Sequence, residues 1–359
     1  MNVVIRTDAS FEIGTGHVMR CITLAKQLVR EGAKVIFICR SFPGNGISFI
    51  QNQGFYVHTL SLGENQNHWQ FIRDHWEKDA EETKLVISNL NGKTDLLIVD
   101  HYSLDMKWER RVRSAINHIM VIDDLADRPH DCDILLDQNY YLHMKNRYRG
   151  LVPDSCIQLL GPDYVLLRDE FLSIDIWRIK RDGNINNILI FFGGIDPTGE
   201  TLKTLQAIQE IDRSEIVVHV VVGEANPNKE RIEQVCGQMP NTEFYCQVSN
   251  MAELMMKADL SIGAGGTATW ERCFLRLPSL TMIIAENQFE VTNAVAMQGA
   301  IVSLGQINGV NKELINKELT SLLQNPVRLQ QMSRKCSELV NVCKVKKYPL
   351  VSLLMEFCS

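Results

Sequence analysis

Strand-like and helix-like segments alternate along most of this chain, and the alternation limits the folds open to it. Apolar runs at 3–5 and 35–39 have the character of short buried strands, and apolar residues recur at helical spacing from His17 to about Arg30. The pattern pauses between about residues 124 and 186 and restarts at 188–192. Strands that alternate with helices favour a parallel, doubly wound sheet. The sequence therefore predicts an α/β protein with two Rossmann-like domains that face a central cleft.

The remaining predicted elements follow the same pattern. Strands are predicted at 56–60, 96–99, 119–122, 134–136, 158–160, 217–222, 258–262 and 280–284, and helices at 47–53, 67–88, 105–115, 200–210 and 287–297, with two more between 311 and 342. A charged stretch at 168–182 is typical of a connection between domains. We expect an N-terminal domain over 1–162 and a C-terminal domain over 163–359, whose last helices could return to pack on the first.

Composition narrows the range of partners. The 359 residues are enough for two cores, and a formal net charge of −6 disfavours nucleic-acid binding. No apolar run approaches the ~18 residues of a membrane helix, so membrane insertion is not expected. The chain enters a strand-like run at once, over residues 1–6, which predicts no signal peptide and a cytoplasmic location. Ten cysteines without a C-x-x-C pair are expected to be reduced thiols.

Residues 261–271 have the pattern of a phosphate-binding turn. An apolar run is followed by Gly263, Ala264, Gly265, Gly266 and Thr267, the last a candidate helix N-cap. Glycine lets a backbone approach a ligand closely, and a helix N-terminus offers N–H groups and a positive dipole end. The pattern predicts a diphosphate site, with Glu271 in reach of a ribose hydroxyl. A plain strand-to-helix turn with a first-turn carboxylate is the alternative.

The loop over residues 7–16 leads into the first long helix and carries a candidate base. Gly14 and Gly16 bring His17 to the start of that helix. The positive end of a helix dipole favours a neutral imidazole, which can take a proton from water. The alternative is that His17 only caps or packs the turn. Nicotinamide chemistry is disfavoured, because Met19 stands where a dinucleotide fingerprint needs its third glycine.

Other polar residues near predicted strand ends have two readings each. Arg6, Asp8 and Ser10 either orient a substrate or pin their loop by local hydrogen bonds. One later buried strand ends in Asp100, which is followed by His101, an alternative base, and Tyr102, an alternative sugar contact.

Further motifs are less specific. Gly193 begins a loop after the first strand of the second domain, and residues 286–288, including Asn287, either meet a pyrophosphate or cap a helix. Residues 123–124 have the composition of a turn. Residues 131–133 show D-x-D spacing but begin a short strand, and we interpret them as structural. The sequence has neither H-x-x-x-H nor H-E-x-x-H, so no metal is expected.

Together these motifs resemble one known family. Segments 6–21, 263–271 and 286–288 look like those of the pseudaminic-acid-pathway hydrolases that act on UDP-2,4-diacetamido-2,4,6-trideoxy-β-L-altropyranose, and of the related spore coat polysaccharide biosynthesis proteins of bacilli. The resemblance runs from Met1 to about Gly299, and the tail beyond is longer than in the shortest members. The loop that ends in His17 is its specific part, whereas the Gly-rich loop is shared with many GT-B glycosyltransferases.

The resemblance implies a GT-B fold, a UDP-sugar substrate and hydrolysis without a metal or cofactor. It also implies that His17 is catalytic and that residues 264–267, Glu271 and Asn287 contact the nucleotide. Combined with the loop residues above, the expected site comprises catalytic His17, substrate-binding Arg6, Asp8, Gly14, Gly16 and Tyr102, and UDP-binding Gly193, Ala264, Gly265, Gly266, Thr267, Glu271 and Asn287.

The expected reaction is inverting cleavage of a UDP-linked 2,4-diacetamido-2,4,6-trideoxyhexose, which releases UDP and free sugar in nonulosonic (pseudaminic-type) acid or spore coat polysaccharide biosynthesis. The UDP-sugar is the expected partner, and this reaction is compatible with a monomeric protein. Two alternatives stay open, namely a GT-B glycosyltransferase that passes the sugar to an acceptor hydroxyl and a nucleotide-sugar-binding protein without catalysis. UDP release in the absence of an acceptor separates the three.

Overall fold

The structure, a computed structural model, describes residues 1–10, 12–61, 68–90, 92–211 and 215–358. Its strands β1 to β13 form two parallel sheets. The strands of the first sheet are β1 (Asn2–Thr7), β2 (Lys34–Arg40), β3 (Tyr56–Leu60), β4 (Thr94–Asp100), β5 (Ile116–Ile122), β6 (Ile134–Asp137) and β7 (Ile157–Leu160). Those of the second are β8 (Asn187–Phe191), β9 (Val217–Val222), β10 (Thr242–Cys246), β11 (Leu260–Ala264), β12 (Ser279–Ile283) and β13 (Ile301–Gln306).

Helices connect these strands. In chain order they are α1 (Gly16–Arg30), α2 (Ile47–Asn52), α3 (His68–Asp74), α4 (Trp76–Ser88), α5 (Met106–Val112), α6 (Asp169–Leu172), α7 (Glu200–Gln209), α8 (Lys229–Gln238), α9 (Met251–Lys257), α10 (Ala268–Phe274), α11 (Phe289–Met297), α12 (Lys312–Leu323), α13 (Pro326–Leu339), α14 (Val342–Val345) and α15 (Pro349–Phe357). In the part of the chain that the structure describes, none is both long and apolar enough to cross a membrane.

Strand order confirms the predicted α/β fold. The first sheet runs β3-β2-β1-β4-β5-β6-β7 and the second β10-β9-β8-β11-β12-β13, and the neighbours in both pair in parallel. Each sheet is doubly wound, because the chain moves outward from its first strand in one direction and then returns to continue in the other. The order reverses between β1 and β4 in the first sheet and between β8 and β11 in the second. Ligands of doubly wound folds bind at the carboxyl ends of such strands.

The chain divides into two compact units, each with its own sheet and core. The first unit comprises residues 1–139, 143–166 and 343–359, and the second comprises residues 140–142 and 167–342. The last helix, α15, therefore belongs with the first sheet, although residues 167–342 belong with the second. Its residues Leu350, Val351 and Leu354 are buried in the same apolar cluster as β1 and α1.

Two element predictions were incomplete. The helix predicted over 67–88 is two helices, α3 and α4, separated at His75, and its first residue lies outside the described residues. By contrast, the strands predicted at 134–136 and 158–160 are confirmed as β6 and β7, which are full members of the first sheet. Strand β13 was not predicted, because Ser303, Gly305 and Gln306 interrupt its apolar pattern. It pairs with β12 nevertheless, with a register shift beside Thr281.

Truncation of a buried side chain on α15 tests its place in the first core. Leu354 is fully buried, so Leu354→Ala removes apolar contacts and leaves a cavity, at an expected cost of about 2–5 kcal/mol in the free energy of unfolding. Val29→Ala on α1, where the side chain is 46% exposed, is the control and should change that free energy by less than about 0.5 kcal/mol. Chemical denaturation measures both, and equal effects would show that α15 is not part of the core.

Candidate functional site

The strand order of the first sheet reverses where β1 and β4 lie side by side. The loop after β1 is short and internally bonded, because Oγ of Ser10 accepts from the backbone N–H groups of Glu12, at 3.2 Å, and Ile13, at 3.0 Å. Gly14 has a φ of +76°, a left-handed conformation that favours glycine. The loop ends at α1, which places His17 in the first turn of that helix.

His17 is paired with the carboxylate at the end of β4. Its Nδ1 lies 2.5 Å from Oδ1 of Asp100, and both side chains are buried. An ionised carboxylate only accepts hydrogen bonds, so Nδ1 carries the proton and donates it to Asp100. The other ring nitrogen, Nε2, is then the basic one. This is the relation between histidine and carboxylate that orients a general base in hydrolases of many folds.

Arg20, one helical turn after His17, binds the same carboxylate. Its Nε donates to Oδ2 of Asp100 at 2.6 Å and its Nη2 to Oδ1 at 2.6 Å, which is a bidentate contact. Burial by itself would raise the pKa of Asp100, but the charge of Arg20 and the hydrogen bonds from Arg20 and His17 outweigh it and hold that pKa well below its usual range. Asp100 is therefore ionised at neutral pH.

Aromatic side chains surround the His17 ring. Tyr102 meets it edge-on at 4.4 Å between ring centroids, and Trp69 lies 6.3 Å away and stacks on Tyr102 at 5.5 Å. The Tyr102 hydroxyl donates to Oδ1 of Asp124 at 2.6 Å. Burial, followed by the nearby charge of Asp124, raises the pKa of Tyr102, so its phenol stays protonated and keeps donating. Tyr102 is thus beside the candidate base, and its hydroxyl is engaged by Asp124.

Two residues predicted to contact substrate have a structural position instead. Arg6 and Asp8 are fully buried and form an ion pair at 2.8 Å. Arg6 also pairs with Asp79 of α4 at 2.8 Å, and Asp8 accepts from the backbone N–H of Arg40 at 2.7 Å. These contacts favour the second reading of the loop, in which the two charged residues pin it. Arg6 is held in the interior by its buried partner Asp79. The position of Asp79 in the sequence does not indicate this contact.

His101 is less suited to act as the base. Its Nδ1 accepts from the backbone N–H of Ser103 at 3.0 Å, and its Nε2 lies 3.4 Å from Oδ2 of Asp8. Both ring nitrogens therefore face groups of the protein itself. Burial lowers the pKa of His101.

In the second sheet, the strand order reverses between β8 and β11, and the predicted glycine loops follow these two strands. Gly193, after β8, has a φ of +91°, and a Cβ added there would meet nothing within 4 Å. The strand predicted at 258–262 begins and ends two residues later, so Gly263 and Ala264 belong to β11. Gly263 is required by packing, because a Cβ there would collide with the carbonyl oxygen of Phe191 on β8.

Different constraints favour glycine at positions 265 and 266. A Cβ on Gly265 would collide with Oγ1 of Thr292 on α11, whereas a Cβ on Gly266 would lie at an ordinary 3.5 Å from Nε2 of Gln288. Packing thus accounts for Gly265, and a backbone open to a ligand accounts better for Gly266. Thr267 occupies the cap position of α10, but its side chain makes no capping hydrogen bond there, in contrast to the prediction.

Glu271 lies in the first turn of α10 and is held by an arginine. Its Oε1 accepts from Nε of Arg168 at 3.0 Å and lies 2.9 Å from Nη2 of the same residue. Burial raises the pKa of Glu271, and Arg168 partly offsets that effect. Asn287 is exposed in a short turn before α11. It is not the cap of that helix, whose cap position is Gln288.

The acidic motif at 131–133 is structural, as interpreted from the sequence. Asp133 accepts from the backbone N–H of Ile119 at 2.7 Å and pairs with Arg113 at 2.5 Å, which ties the start of β6 to β5. Among the described residues, no group of three or more His, Cys, Asp or Glu side chains could hold a metal ion.

The sequence motifs predict no role for Asp100, Arg20 or Trp69. Asp100 was noted only as the residue that ends β4, although the neighbouring positions of β1 and β4 would have pointed to it. Arg20 follows His17 at a spacing of three residues, which places both on one helix face. Trp69 carries no recognisable motif.

The two loop glycines provide a matched pair of variants. Gly265→Ala should lower the free energy of unfolding of the second unit by about 1–3 kcal/mol, because the added methyl overlaps Thr292. Gly266→Ala should leave it nearly unchanged. Thermal melting of the two variants checks this, and a larger loss for Gly266→Ala would contradict the packing described here.

Comparison with known sequences finds relatives over most of the chain. The UDP-2,4-diacetamido-2,4,6-trideoxy-beta-L-altropyranose hydrolase of Campylobacter jejuni is 26% identical over 83% of this chain and 97% of its own. The spore coat polysaccharide biosynthesis protein SpsG of Bacillus subtilis is 25% identical over 92% of this chain and 91% of its own. An uncharacterized protein of Methanocaldococcus jannaschii is 26% identical over 81% of this chain, which spans only 57% of that longer protein.

Comparison of folds and domains agrees with these relatives. Residues 188–346 match the glycosyltransferase family 28 C-terminal domain. MurG of Acinetobacter baumannii superimposes with a TM-score of 0.67 at 14% identity, over 99% of both chains. UGT89C1 of Arabidopsis thaliana superimposes with a TM-score of 0.68 at 13% identity, over 100% of this chain and 99% of its own. Both are GT-B glycosyltransferases, so the predicted GT-B fold is confirmed.

The family resemblance expected from the motifs is confirmed as well, and the protein is a GT-B-fold relative of the UDP-2,4-diacetamido-2,4,6-trideoxy-beta-L-altropyranose hydrolase and of the spore coat protein SpsG.

Proposed function

We propose that the protein is a metal-independent hydrolase that cleaves the anomeric C–O bond of a UDP-linked 2,4-diacetamido-2,4,6-trideoxyhexose, in nonulosonic (pseudaminic-type) acid or spore coat polysaccharide biosynthesis. The observation that carries the proposal is the pairing of His17 with Asp100 at the strand reversal of the first sheet. The name of the Campylobacter jejuni relative supports this choice of substrate.

In the proposed reaction His17 acts as a general base. Its Nδ1–H donates to Asp100, which leaves Nε2 to accept a proton from water as the water oxygen bonds to C1 of the sugar. The bond between C1 and the UDP oxygen breaks, and its electron pair leaves with the diphosphate. Attack on the face opposite UDP inverts the anomeric centre. The proton passes from Nε2 to solvent after the products leave.

UDP is proposed to bind at the glycine loops of the second sheet. The proposed contacts are Gly193, Ala264, Gly265, Gly266, Thr267, Glu271 and Asn287. Support comes from the position of the two loops beside the strand reversal, from the open space at Gly193 and from the lack of a steric conflict at Gly266. Backbone N–H groups there would stabilise the charge that develops on the leaving diphosphate. Gly14, Gly16 and Tyr102 are proposed to adjoin the sugar.

A glycosyltransferase is the second candidate, and the domain match at 188–346 favours it. The same His17 would then remove the proton of an acceptor hydroxyl rather than of water. The two candidates differ in whether UDP is released rapidly when no acceptor is present.

The direct test is UDP release from the diacetamido-trideoxy-altrose nucleotide, with EDTA and without an acceptor. We expect rapid release by the wild type and a loss of about 10²–10⁴-fold in turnover for His17→Ala, because the general base is removed. His58→Ala, on β3, is the control and should retain full activity. UDP binding should survive in both variants.

Two results would contradict this proposal. Normal turnover of His17→Ala would remove the base from the mechanism. Intact UDP binding by the wild type without UDP release would favour the transferase.

Asp100 should matter for rate and not for nucleotide binding. In Asp100→Asn the side chain keeps its shape but loses its charge, and its amide no longer requires the proton on Nδ1 of His17. We expect turnover to fall by about 10²–10⁴-fold while the dissociation constant for UDP changes little. Steady-state kinetics and calorimetry measure the two quantities, and unchanged turnover in a folded variant would show that Asp100 does not orient the base.

A further inference from the structure

Arg20 lies between two carboxylates and beside the candidate base. Besides its bidentate contact with Asp100, its Nη1 donates to Oδ2 of Asp124 at 3.0 Å. Its Nη2 lies 3.1 Å from Nδ1 of His17. The Arg20 side chain is only 7% exposed and Asp100 is fully buried, so solvent screens these charges weakly.

We infer that Arg20 is a positioning residue that keeps His17 unprotonated, by supplying the positive charge that the buried Asp100 carboxylate would otherwise draw onto the imidazole. This charge relation, in which Arg20 and not His17 neutralises Asp100, rests on the geometry alone. Its consequence for catalysis rests on the proposed function.

Burial of the Asp100 carboxylate carries an energetic cost. An ionised carboxylate out of water needs a cation beside it, and two groups on α1 can provide one. A guanidinium is charged at every relevant pH, whereas an imidazole gains its charge only by taking up a proton. With Arg20 in place, Asp100 is neutralised without that proton. Arg20 also faces the ring directly, and its positive charge disfavours a second one on His17.

The other charged or titratable groups around His17 are held by partners that the structure identifies. Oδ1 of Asp124 accepts from the Tyr102 hydroxyl, while its Oδ2 accepts from Arg20. His101, from the end of β4, faces Asp8 through Nε2. Cys21, on α1, donates through Sγ to Oδ2 of Asp100 at 3.4 Å. Burial raises the pKa of Cys21, so this thiol stays neutral and adds no charge.

Removing the guanidinium should change the protonation of the whole pair. In Arg20→Gln, His17 is the group on α1 that can still supply a positive charge to Asp100. The pair of His17 and Asp100 should therefore take up a proton at neutral pH. A protonated pair cannot accept a proton from water. A purely structural Arg20, which only ties α1 to β4, would instead lower activity equally at every pH.

The kinetic experiment is the pH profile of kcat/KM for UDP release. For Arg20→Gln we expect the acidic limb to move to higher pH by about one unit or more, so that activity falls about tenfold near neutral pH and recovers in alkali. Arg20→Lys should restore most of the wild-type profile. Arg113→Gln is the matched control, since Arg113 is a 30% exposed arginine paired with Asp133 in the same unit, and its profile should overlay the wild type.

A second readout needs no activity. The imidazole resonances of the nine histidines can be followed by NMR during a pH titration, and His17 is assigned by the signal that disappears in His17→Ala. The midpoint of the His17 signal should move to higher pH in Arg20→Gln. In Asp124→Asn, where Arg20 remains and one competing carboxylate charge is removed, it should move to lower pH. Asp124→Asn provides the test if Arg20→Gln does not fold.

The results of these experiments distinguish the role of Arg20 from the proposed hydrolase function. An unmoved His17 midpoint in a folded Arg20→Gln, or a uniform loss of activity with an unmoved limb, overturns the inference. If Arg20→Gln does not fold, an unmoved or raised midpoint in Asp124→Asn overturns it. The expected midpoint shifts together with a wild type that releases no UDP would support the charge relation and overturn the proposed function.

Discussion

A buried carboxylate organises the first unit around its candidate site. Asp100 ends β4 without contact to solvent, and its charge is matched by Arg20 and by a hydrogen bond from His17, both on α1. An unpaired carboxylate in that place would be strongly destabilising, so the helix, the loop before it and the end of β4 are bound together. The same contact fixes which nitrogen of His17 is basic. Stability and chemistry therefore depend on one interaction at the point where strand order reverses.

Most of the fold could be predicted because its signals are local. Apolar runs and helical spacing are visible in short windows, and their alternation implies parallel sheets. The errors arose where pairing overrides a weak local pattern. Strand β13 contains serine, glycine and glutamine and is stabilised by its pairing with β12, and the break between α3 and α4 at His75 has no glycine or proline to announce it.

The candidate site was predictable only in part, for a related reason. His17 was visible because the glycines before it and the helix after it are adjacent in sequence. Asp100 lies 83 residues away, and only the strand order brings it to His17. Arg6 and Asp8 looked like substrate contacts because they precede the same loop, yet Asp79 and a backbone N–H engage them in the interior. Burial of a charge depends on distant partners, which a local pattern does not contain.

The central claim is that a water activated by His17 attacks the sugar carbon and not the phosphate. Turnover in ¹⁸O-labelled water, with mass spectrometry of the released UDP, tests it most directly. We expect UDP that carries no label, because the bond broken is C1–O and the oxygen between sugar and phosphate leaves with the nucleotide. Label in the terminal phosphate of UDP would mean that water attacks phosphorus, and would contradict the account.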